Sequence, residues 1–403
     1  MTAESRQQNA NFRRLFSPFE LRGKAFRNRL FFAPHGTGYA SGGRLGKAAL
    51  AYYEARLKGG VGLIYTEATQ VVSIEGQEYA QLTAGSDEFT EDVAQLSALC
   101  RRYGARCFVQ IYHEGRARAH SRDGSVETTI APSALRDERF HVVPKEMSIE
   151  EIQALTAQFA AAARRAAEGG ADGIELLVGM GYLHGQFLSP RVNIRDDAYG
   201  GSPKNRLRFL AETLAAMRDA AGPEPIIGFR IVPEDDDPDG LRLEDSLPVC
   251  KTLAERDLTD YISVTVGSTH TLAGTISIVP SMFADAAKAQ VLGREVRQNA
   301  GVPVFVTGRI NQPQIAEDAL ANGAGDMMGM VRALLTDPQL PNKAMSGRAD
   351  DIRACIGCNQ ACIGHRNRGH GVSCIQFPET GRELAYGIRK PPVSRRRVVV
   401  VGG

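Results

Sequence analysis

Residues 148–190 read SIEEIQALTAQFAAAARRAAEGGADGIELLVGMGYLHGQFLSP. Ser148-Ile-Glu-Glu151 has the form of a capping box, in which the serine takes a free backbone N–H of the first turn and Glu151 reaches back. An amphipathic helical pattern follows to residue 168. Gly169-Gly170 then stops it where a left-handed residue is wanted. The short apolar run 172–177 (DGIELL) comes next and opens into a glycine-containing loop. Helix, stop, buried strand and loop in this order are the repeating part of a parallel α/β sheet.

The same alternation runs outward in both directions. Candidate strands are 29–34, 61–66, 107–112, 172–177, 226–232, 260–266, 303–307 and 326–330. Helical patterns fill the gaps at 46–59, 87–103, 148–168, 204–221, 244–256, 283–299 and 311–322. Gly59-Gly60 stops the first of these as Gly169-Gly170 stops the third. Asn311 ahead of Pro313 resembles a further helix start. Eight strands alternating with helices close a TIM (β/α)8 barrel, an α/β fold. We take 1–340 as the barrel, 341–392 as a cysteine-rich segment and 393–403 as the start of a third unit. In that unit Val398–Gly403 has the form of the first strand of a Rossmann-like dinucleotide-binding domain.

Composition bounds the function. The chain has 403 residues, enough for a barrel and a smaller module, with 43% hydrophobic and 23% charged residues. Its 48 basic and 46 acidic residues give a net charge of +2, which argues against nucleic acid as a partner. No apolar run approaches the ~20 residues that cross a bilayer, and MTAESRQQNANFRR at the N-terminus has no apolar signal region. A cytoplasmic protein is the simplest reading. Of seven cysteines, Cys100, Cys107 and Cys250 sit in apolar contexts. The other four crowd into 355–374, the pattern of a metal or cluster site in a reducing compartment.

In a TIM barrel the chemistry sits at the C-terminal ends of the strands. Here those ends read Ala33-Pro-His35, Glu67-Ala68, Gln110-Ile-Tyr-His-Glu-Gly-Arg116, Gly228-Phe-Arg230, Thr307-Gly-Arg309 and Gly329-Met-Val-Arg332. Gln110 both donates and accepts, which suits the pyrimidine edge of a flavin. Arg230 would place positive charge near the ring. The loops at Arg309 and at Met330, Val331 and Arg332 are where barrels hold a phosphate. Taken singly, each is an ordinary surface residue or turn. The ordered set across six strands carries the argument.

The run 110–116 resembles the QxxHxGR signature of the old yellow enzymes. Gly181-Tyr-Leu-x-x-Gln-Phe-Leu-Ser-Pro190, Asn193-Ile-Arg-x-Asp-x-Tyr-Gly-Gly201 and Asn205-Arg206 resemble that family's middle signature. Ala131-Pro-Ser133 and 329–338 (GMVRALLTDP) add to it. The resemblance covers about 15–340. It implies FMN in the barrel mouth, surrounded by Ala33, Pro34, His35, Ala68, Gln110, Arg230, Arg309 and the loop 330–332.

Cys355-x2-Cys358-x3-Cys362-x11-Cys374 offers four thiolates, suited to a 4Fe–4S cluster or to zinc. The compact spacing favours the cluster, since structural zinc more often uses two separated CxxC pairs. CIGCNQACIGH resembles the cluster segment of 2,4-dienoyl-CoA reductase and trimethylamine dehydrogenase. In those proteins FAD- and NAD(P)H-binding domains follow, so the resemblance implies FAD and NAD(P)H only beyond this chain. It also implies an electron donor or acceptor domain or protein as partner, besides a small-molecule substrate, and leaves room for a homo-oligomer. The expected architecture is barrel, cluster segment and a truncated dinucleotide-binding domain.

The sequence departs from the family at one place. Typical old yellow enzymes grip an enone carbonyl with a His-x-x-His or His-x-x-Asn pair, and here Leu177 and Met180 hold those positions. Tyr182 and His270 match the tyrosine and histidine of the dienoyl-CoA reductases, a proton donor and its support. The ordinary alternatives are a core tyrosine and a solvated loop histidine. Glu234-Asp-Asp-Asp237 could attract a cationic amine or simply be a solvated loop. The leading expectation is reduction of a conjugated double bond. Oxidative N-demethylation of an amine comes second; without tryptophan, an aromatic cage for the cation would rest on Tyr39, Tyr182 or phenylalanines. An electron-transfer module without substrate chemistry is the third.

Overall fold

The structure is a computed structural model, and it describes residues 12–72, 81–118, 128–284, 288–387, 394 and 396–402. Eight parallel strands close into a barrel: β1 (Leu30–Phe32), β2 (Leu63–Tyr65), β3 (Arg106–Tyr112), β4 (Gly173–Leu177), β5 (Ile226–Ile231), β6 (Tyr261–Val264), β7 (Val304–Thr307) and β8 (Met327–Met330). Each pairs with its sequence neighbours, and β8 pairs back onto β1. Seven helices form the outer layer: α1 (Lys47–Lys58), α2 (Glu88–Arg102), α3 (Ile149–Glu168), α4 (Pro203–Ala221), α5 (Leu243–Glu255), α6 (Lys288–Ala300) and α7 (Pro313–Ala321). Every expected strand and helix of the barrel is present. The first residues of the expected 283–299 helix differ, since it starts at Lys288, and 285–287 lie outside the described residues.

Local chemistry explains the boundaries. Ser148 Oγ accepts from the Glu151 N–H at 3.2 Å, and Glu151 accepts from the Ser148 N–H at 2.9 Å. In both glycine pairs the second residue is left-handed, Gly60 at φ +102° and Gly170 at φ +76°. At α7 the cap differs from expectation. Gln312 is the residue before Pro313 in the first turn, and the Asn311 side chain instead donates to the Cys355 carbonyl at 2.8 Å.

The barrel interior is packed with rings at its lower end. Phe31, Tyr65, Phe108, Tyr261 and Phe305 form one buried cluster. A hairpin, Phe19–Leu21 with Lys24–Phe26, plugs that end; its rings meet Phe305 and Phe108 at 6.0 and 5.9 Å. The plug's three-residue strands escape a sequence reading. Its turn at Arg22-Gly23 has φ +47° and +69°, the handedness a tight hairpin needs. A second, larger cluster lies between strands and helices.

The residues beyond β8 run from the foot of α1, where Asn342 bonds to the Lys58 and Gly59 carbonyls, to the barrel's other end, which 355–372 cover. They form short helices at Leu340–Met345, Ile363–Asn367 and Glu383–Tyr386. Buried Glu383 pairs with fully buried Arg56 of α1, and the Tyr39 hydroxyl donates to the Val372 carbonyl. Asn359 Nδ2 donates to the Val279 carbonyl at 2.7 Å. The cysteine-rich segment is therefore a cap on the barrel mouth. Of the strand expected over Val398–Gly403, Gly403 lies outside the described residues, and 398–402 lie outside regular structure with Val398–Val401 exposed. Among the described residues no strand pairs with it, and a strand needs a partner for its backbone groups.

Candidate active site

A cavity of about 680 Å³ occupies the C-terminal ends of the strands. Its floor is a buried polar network. The register sets Gln110 opposite Glu175. Gln110 Nε2 and Arg230 Nε both donate to Glu175 Oε1, at 2.6 and 2.9 Å. The Tyr261 hydroxyl donates to Oε2 at 2.9 Å, and the Tyr65 hydroxyl lies 2.9 Å from that of Tyr261. Glu175 is fully buried; a carboxylate without water requires such donors. Glu175 is not among the residues that the strand ends pick out, yet a glutamate inside an apolar strand run is itself a signal of a partner charge.

The network fixes what the floor offers. Gln110 spends one N–H on Glu175, so its carbonyl oxygen and its second N–H remain. Arg230 is balanced from behind by Glu175 and keeps a buried Nη2 without a protein partner. The charge expected near the flavin ring is therefore half of an ion pair.

His35 and Ala68 stand on the β1–β2 side of the lining. His35 Nδ1 lies 2.8 Å from the Ala33 carbonyl and Nε2 lies 2.7 Å from the Tyr52 hydroxyl. The carbonyl can only accept, so Nδ1 carries the proton and Nε2 accepts from Tyr52 in the neutral ring. Burial, against a smaller opposing effect of the Ala33 bond, pushes its pKa down to about 4. Pro34 also lines the cavity, whereas Ala33 and Met330 are buried behind it, joined by Ala33 N–H to the Met330 carbonyl at 3.3 Å.

Across the cavity, β7 and β8 end in Gly308, Arg309, Val331 and Arg332, all in the lining. Arg309 has φ +49°, a left-handed turn at the strand end, and its Nη2 donates to the Met282 carbonyl at 2.9 Å. Arg332 Nη1 donates to the Pro280 carbonyl and to Asn359 Oδ1, both at 2.7 Å. Thr307 Oγ1 is buried there without a partner.

Leu177, Met180 and Tyr182 form part of the β4-side wall. The Tyr182 ring packs edge-on against Tyr112 with centroids 4.8 Å apart. Burial pushes the Tyr182 hydroxyl up; Glu114 adds to the shift, and Arg139 and Arg366 oppose it. The phenol therefore keeps its proton through the neutral range. His270 is neither solvated nor in the lining. It is 3% exposed, behind the 180–182 loop, with Nδ1 3.6 Å from Asp235 Oδ2. The aspartates of the acidic stretch have partners: Asp235 Oδ2 lies 3.6 Å from His270 Nδ1 and accepts from the Leu241 N–H at 2.9 Å, Asp236 pairs with Lys288 and Asp237 with Arg191.

Cys355, Cys358, Cys362 and Cys374 line one small cavity of about 20 Å³. The Gly357 N–H donates to Cys355 Sγ at 3.4 Å, and the Thr336 hydroxyl lies 3.5 Å from Cys374 Sγ. Among the described residues no three ligands converge as they would on a single ion. Cys355, Cys362 and Arg332 line both cavities, so the two sites share a wall. Among the described residues no helix is long and apolar enough to cross a membrane.

A closed (β/α)8 barrel with this mouth defines an FMN-dependent oxidoreductase of the old yellow enzyme type. The chain belongs to the NADH:flavin oxidoreductase / NADH oxidase family, whose model matches residues 14–351. It is 35% identical to an NADH oxidase of Thermoanaerobacter brockii, over 98% of this chain and 60% of that protein. It is 33% identical to an N,N-dimethylglycine/sarcosine dehydrogenase of Chromohalobacter salexigens, over 97% of this chain and 57% of that one. Among solved structures, a 2-naphthoyl-CoA reductase complex superposes with TM-score 0.85 at 26% identity, covering 93% of this chain and 58% of the other. The chain thus spans less than two thirds of the length of these relatives.

Proposed function

We propose that this chain is the FMN- and 4Fe–4S-carrying part of an enzyme that reduces a conjugated C=C bond, with Tyr182 as proton donor. The observation that carries the reading is a protonated, cavity-lining tyrosine beside Leu177 and Met180, which replace the usual carbonyl-gripping pair. Gln110 and Arg230 would hold the pyrimidine edge of FMN, through the acceptor and the buried donor left over from Glu175. Arg309, Arg332 and the backbone at Gly308 and Val331 would hold its phosphate. When bound, FMN supplies a hydride to the β-carbon; Tyr182 gives its proton to the α-carbon. His270, with Asp235 behind it, would position the loop that carries Tyr182.

The cysteine cavity suits a 4Fe–4S cluster. A cube holds four thiolates apart on separate corners, whereas one zinc draws them to a point. Cys355 and Cys362 stand in the wall that the two cavities share, and a cluster held there would supply one-electron transfer. An external electron donor domain or protein would feed cluster and barrel.

Oxidative N-demethylation is the second reading, favoured by the likeness to the dimethylglycine/sarcosine dehydrogenase. Against it, Glu114 is the one carboxylate of the cavity lining among the described residues, and it is paired with Arg118 at 3.1 Å. The deciding experiment is single-turnover flavin kinetics. A panel of 2-enoyl acids, esters and thioesters should reoxidise the reduced FMN. If none does and N-methylated amines bleach the oxidised FMN, the demethylase reading replaces the first. Metal analysis should give about four irons per chain; one zinc without sulfide would remove the cluster.

A further inference from the structure

Five arginines line the main cavity among the described residues: Arg139, Arg230, Arg309, Arg332 and Arg366. Three are spoken for. Arg230 is paired with Glu175, and Arg309 and Arg332 are tied to carbonyls at the β7–β8 end. Arg139 and Arg366 are different. Among the described residues neither forms an ion pair with a carboxylate, and both are only half-buried.

These two come from distant parts of the chain. Arg139 lies on the long β3–α3 connection, stacked over the Phe140 ring at 4.7 Å. Arg366 projects from the helix Ile363–Asn367 of the capping segment. A Cβ on Gly36 would lie 3.1 Å from its Nε, so the absence of a side chain there leaves the guanidinium room. Both guanidiniums act on the Tyr182 hydroxyl. The two carboxyls nearby are already engaged. Glu67 accepts from Thr37 N–H, the Thr37 hydroxyl and Leu82 N–H, at 2.6, 2.8 and 2.8 Å, and Glu114 pairs with Arg118.

We propose that Arg139 and Arg366 form an anion subsite beside Tyr182, and that the substrate is an acid whose free carboxylate this pair holds. Leu177, Met180, Tyr112 and Phe140 supply apolar and aromatic surface for the rest of the molecule. A guanidinium matches a carboxylate with two parallel N–H···O bonds. Two are needed for a further reason, which rests on the reductase reading above. A carboxylate already carries one negative charge, and hydride arriving at its β-carbon sends the alkene electron pair toward the carboxyl oxygens. Two fixed cations stabilise that second charge until Tyr182 protonates the α-carbon. A thioester or ketone brings no charge to the subsite and leaves both cations unpaired.

The test is calorimetric binding of saturated acids to the FMN-loaded full chain, using propanoate, hexanoate and 3-phenylpropanoate beside their methyl esters. At least one acid should bind, at least tenfold tighter than its ester. Arg139→Leu and Arg366→Leu should each weaken that acid by about 10–100-fold, the worth of a charge-assisted pair, and leave the ester unchanged. Arg366→Lys should recover part of the loss. Arg366 lies close to Cys362, so Arg139→Leu, on the barrel loop, decides the matter if the cap is disturbed. Equal affinity for acid and ester, no binding by any acid, or full affinity in Arg139→Leu would overturn the subsite. Saturated acids cannot be reduced, so the outcome is independent of the reaction. Arginine-dependent binding without reoxidation by any 2-enoyl acid would leave the subsite standing and remove the reductase.

Discussion

The two ends of the barrel are built from the same eight strands and differ in what those strands point inward. At the lower end Phe108, Tyr261 and Phe305 meet the hairpin plug in a cluster of rings. Further along, at the mouth, β3, β5 and β7 present Gln110, Arg230 and Thr307 to a cavity. Tyr65 and Tyr261 join the two, with rings in the lower cluster and hydroxyls in the Glu175 network. One end is stabilised by burial and so can be closed. The other is held by paired charges and so can stay open without collapsing. Stability and chemistry are thereby separated along one axis.

That separation can be tested from the largest effect downward. Tyr182→Phe keeps the ring and its contact with Tyr112, so thermal stability should hardly move. Flavin reoxidation by an alkene should slow by about 10²–10⁴-fold in single-turnover kinetics, the usual worth of a placed general acid. A slowing below tenfold would show that the proton comes from elsewhere. At the junction, Glu175→Gln leaves Arg230 buried without its counter-charge. Urea unfolding should then show a loss of about 3–5 kcal/mol, and FMN retention should fall with it. The lower end should behave differently: Phe305→Ala should cost about 3–5 kcal/mol by opening a cavity among rings and leave FMN retention unchanged. Loss of FMN from Phe305→Ala at full folding would show the two ends to be coupled.

A pH measurement addresses the layer outside both ends. His184 is fully buried, stacked on Phe209 at 4.3 Å and bonded through Nε2 to the Thr213 hydroxyl at 3.1 Å. Burial, with a smaller contribution from His113, pushes its pKa down to about 3. The unfolded chain therefore takes the proton first. The stability from this neutral ring is complete above about pH 6.5 and is lost as pH falls toward 3, by about 1.4 kcal/mol per pH unit. His35 and His113 are held neutral by burial in the same way. Denaturant unfolding should therefore show stability falling by more than this between pH 6 and pH 5 in the native protein, and by about 1 kcal/mol less in His184→Gln. The smallest effect belongs to Ser148→Ala, which removes the α3 cap outside the cavity lining. It should lower stability by about 1 kcal/mol with flavin kinetics unchanged; altered kinetics would mean that the helical layer reaches the mouth.

Much of the barrel and its mouth is legible in the amino-acid sequence alone. Strand and helix spacing announces the barrel, and the strand ends announce Gln110, Arg230, Arg309 and Arg332. What the sequence conceals, it conceals for physical reasons. Three-residue strands at 19–26 carry too few alternations to show a period. Glu175 takes its meaning from Gln110 and Arg230, 65 and 55 residues away. Arg139 and Arg366 come to line one cavity with Tyr182 only because the capping segment folds back. The aspartates at 235–237 look free in sequence, and the structure pairs each of them. The strand expected over Val398–Gly403 has the right pattern, but among the described residues nothing pairs with it.

The Arg56–Glu383 pair has a consequence for how the chain comes into being. Arg56 is made early, and its partner follows 327 residues later. Until then the guanidinium, which also donates to the Tyr52 and Leu334 carbonyls at 2.8 and 3.2 Å, has no counter-charge in the place it will occupy. During synthesis the first helix can therefore dock only provisionally. Its final seating waits for the tail, so a chain released before residue 383 would carry a completed barrel with an unanswered cation at its first helix.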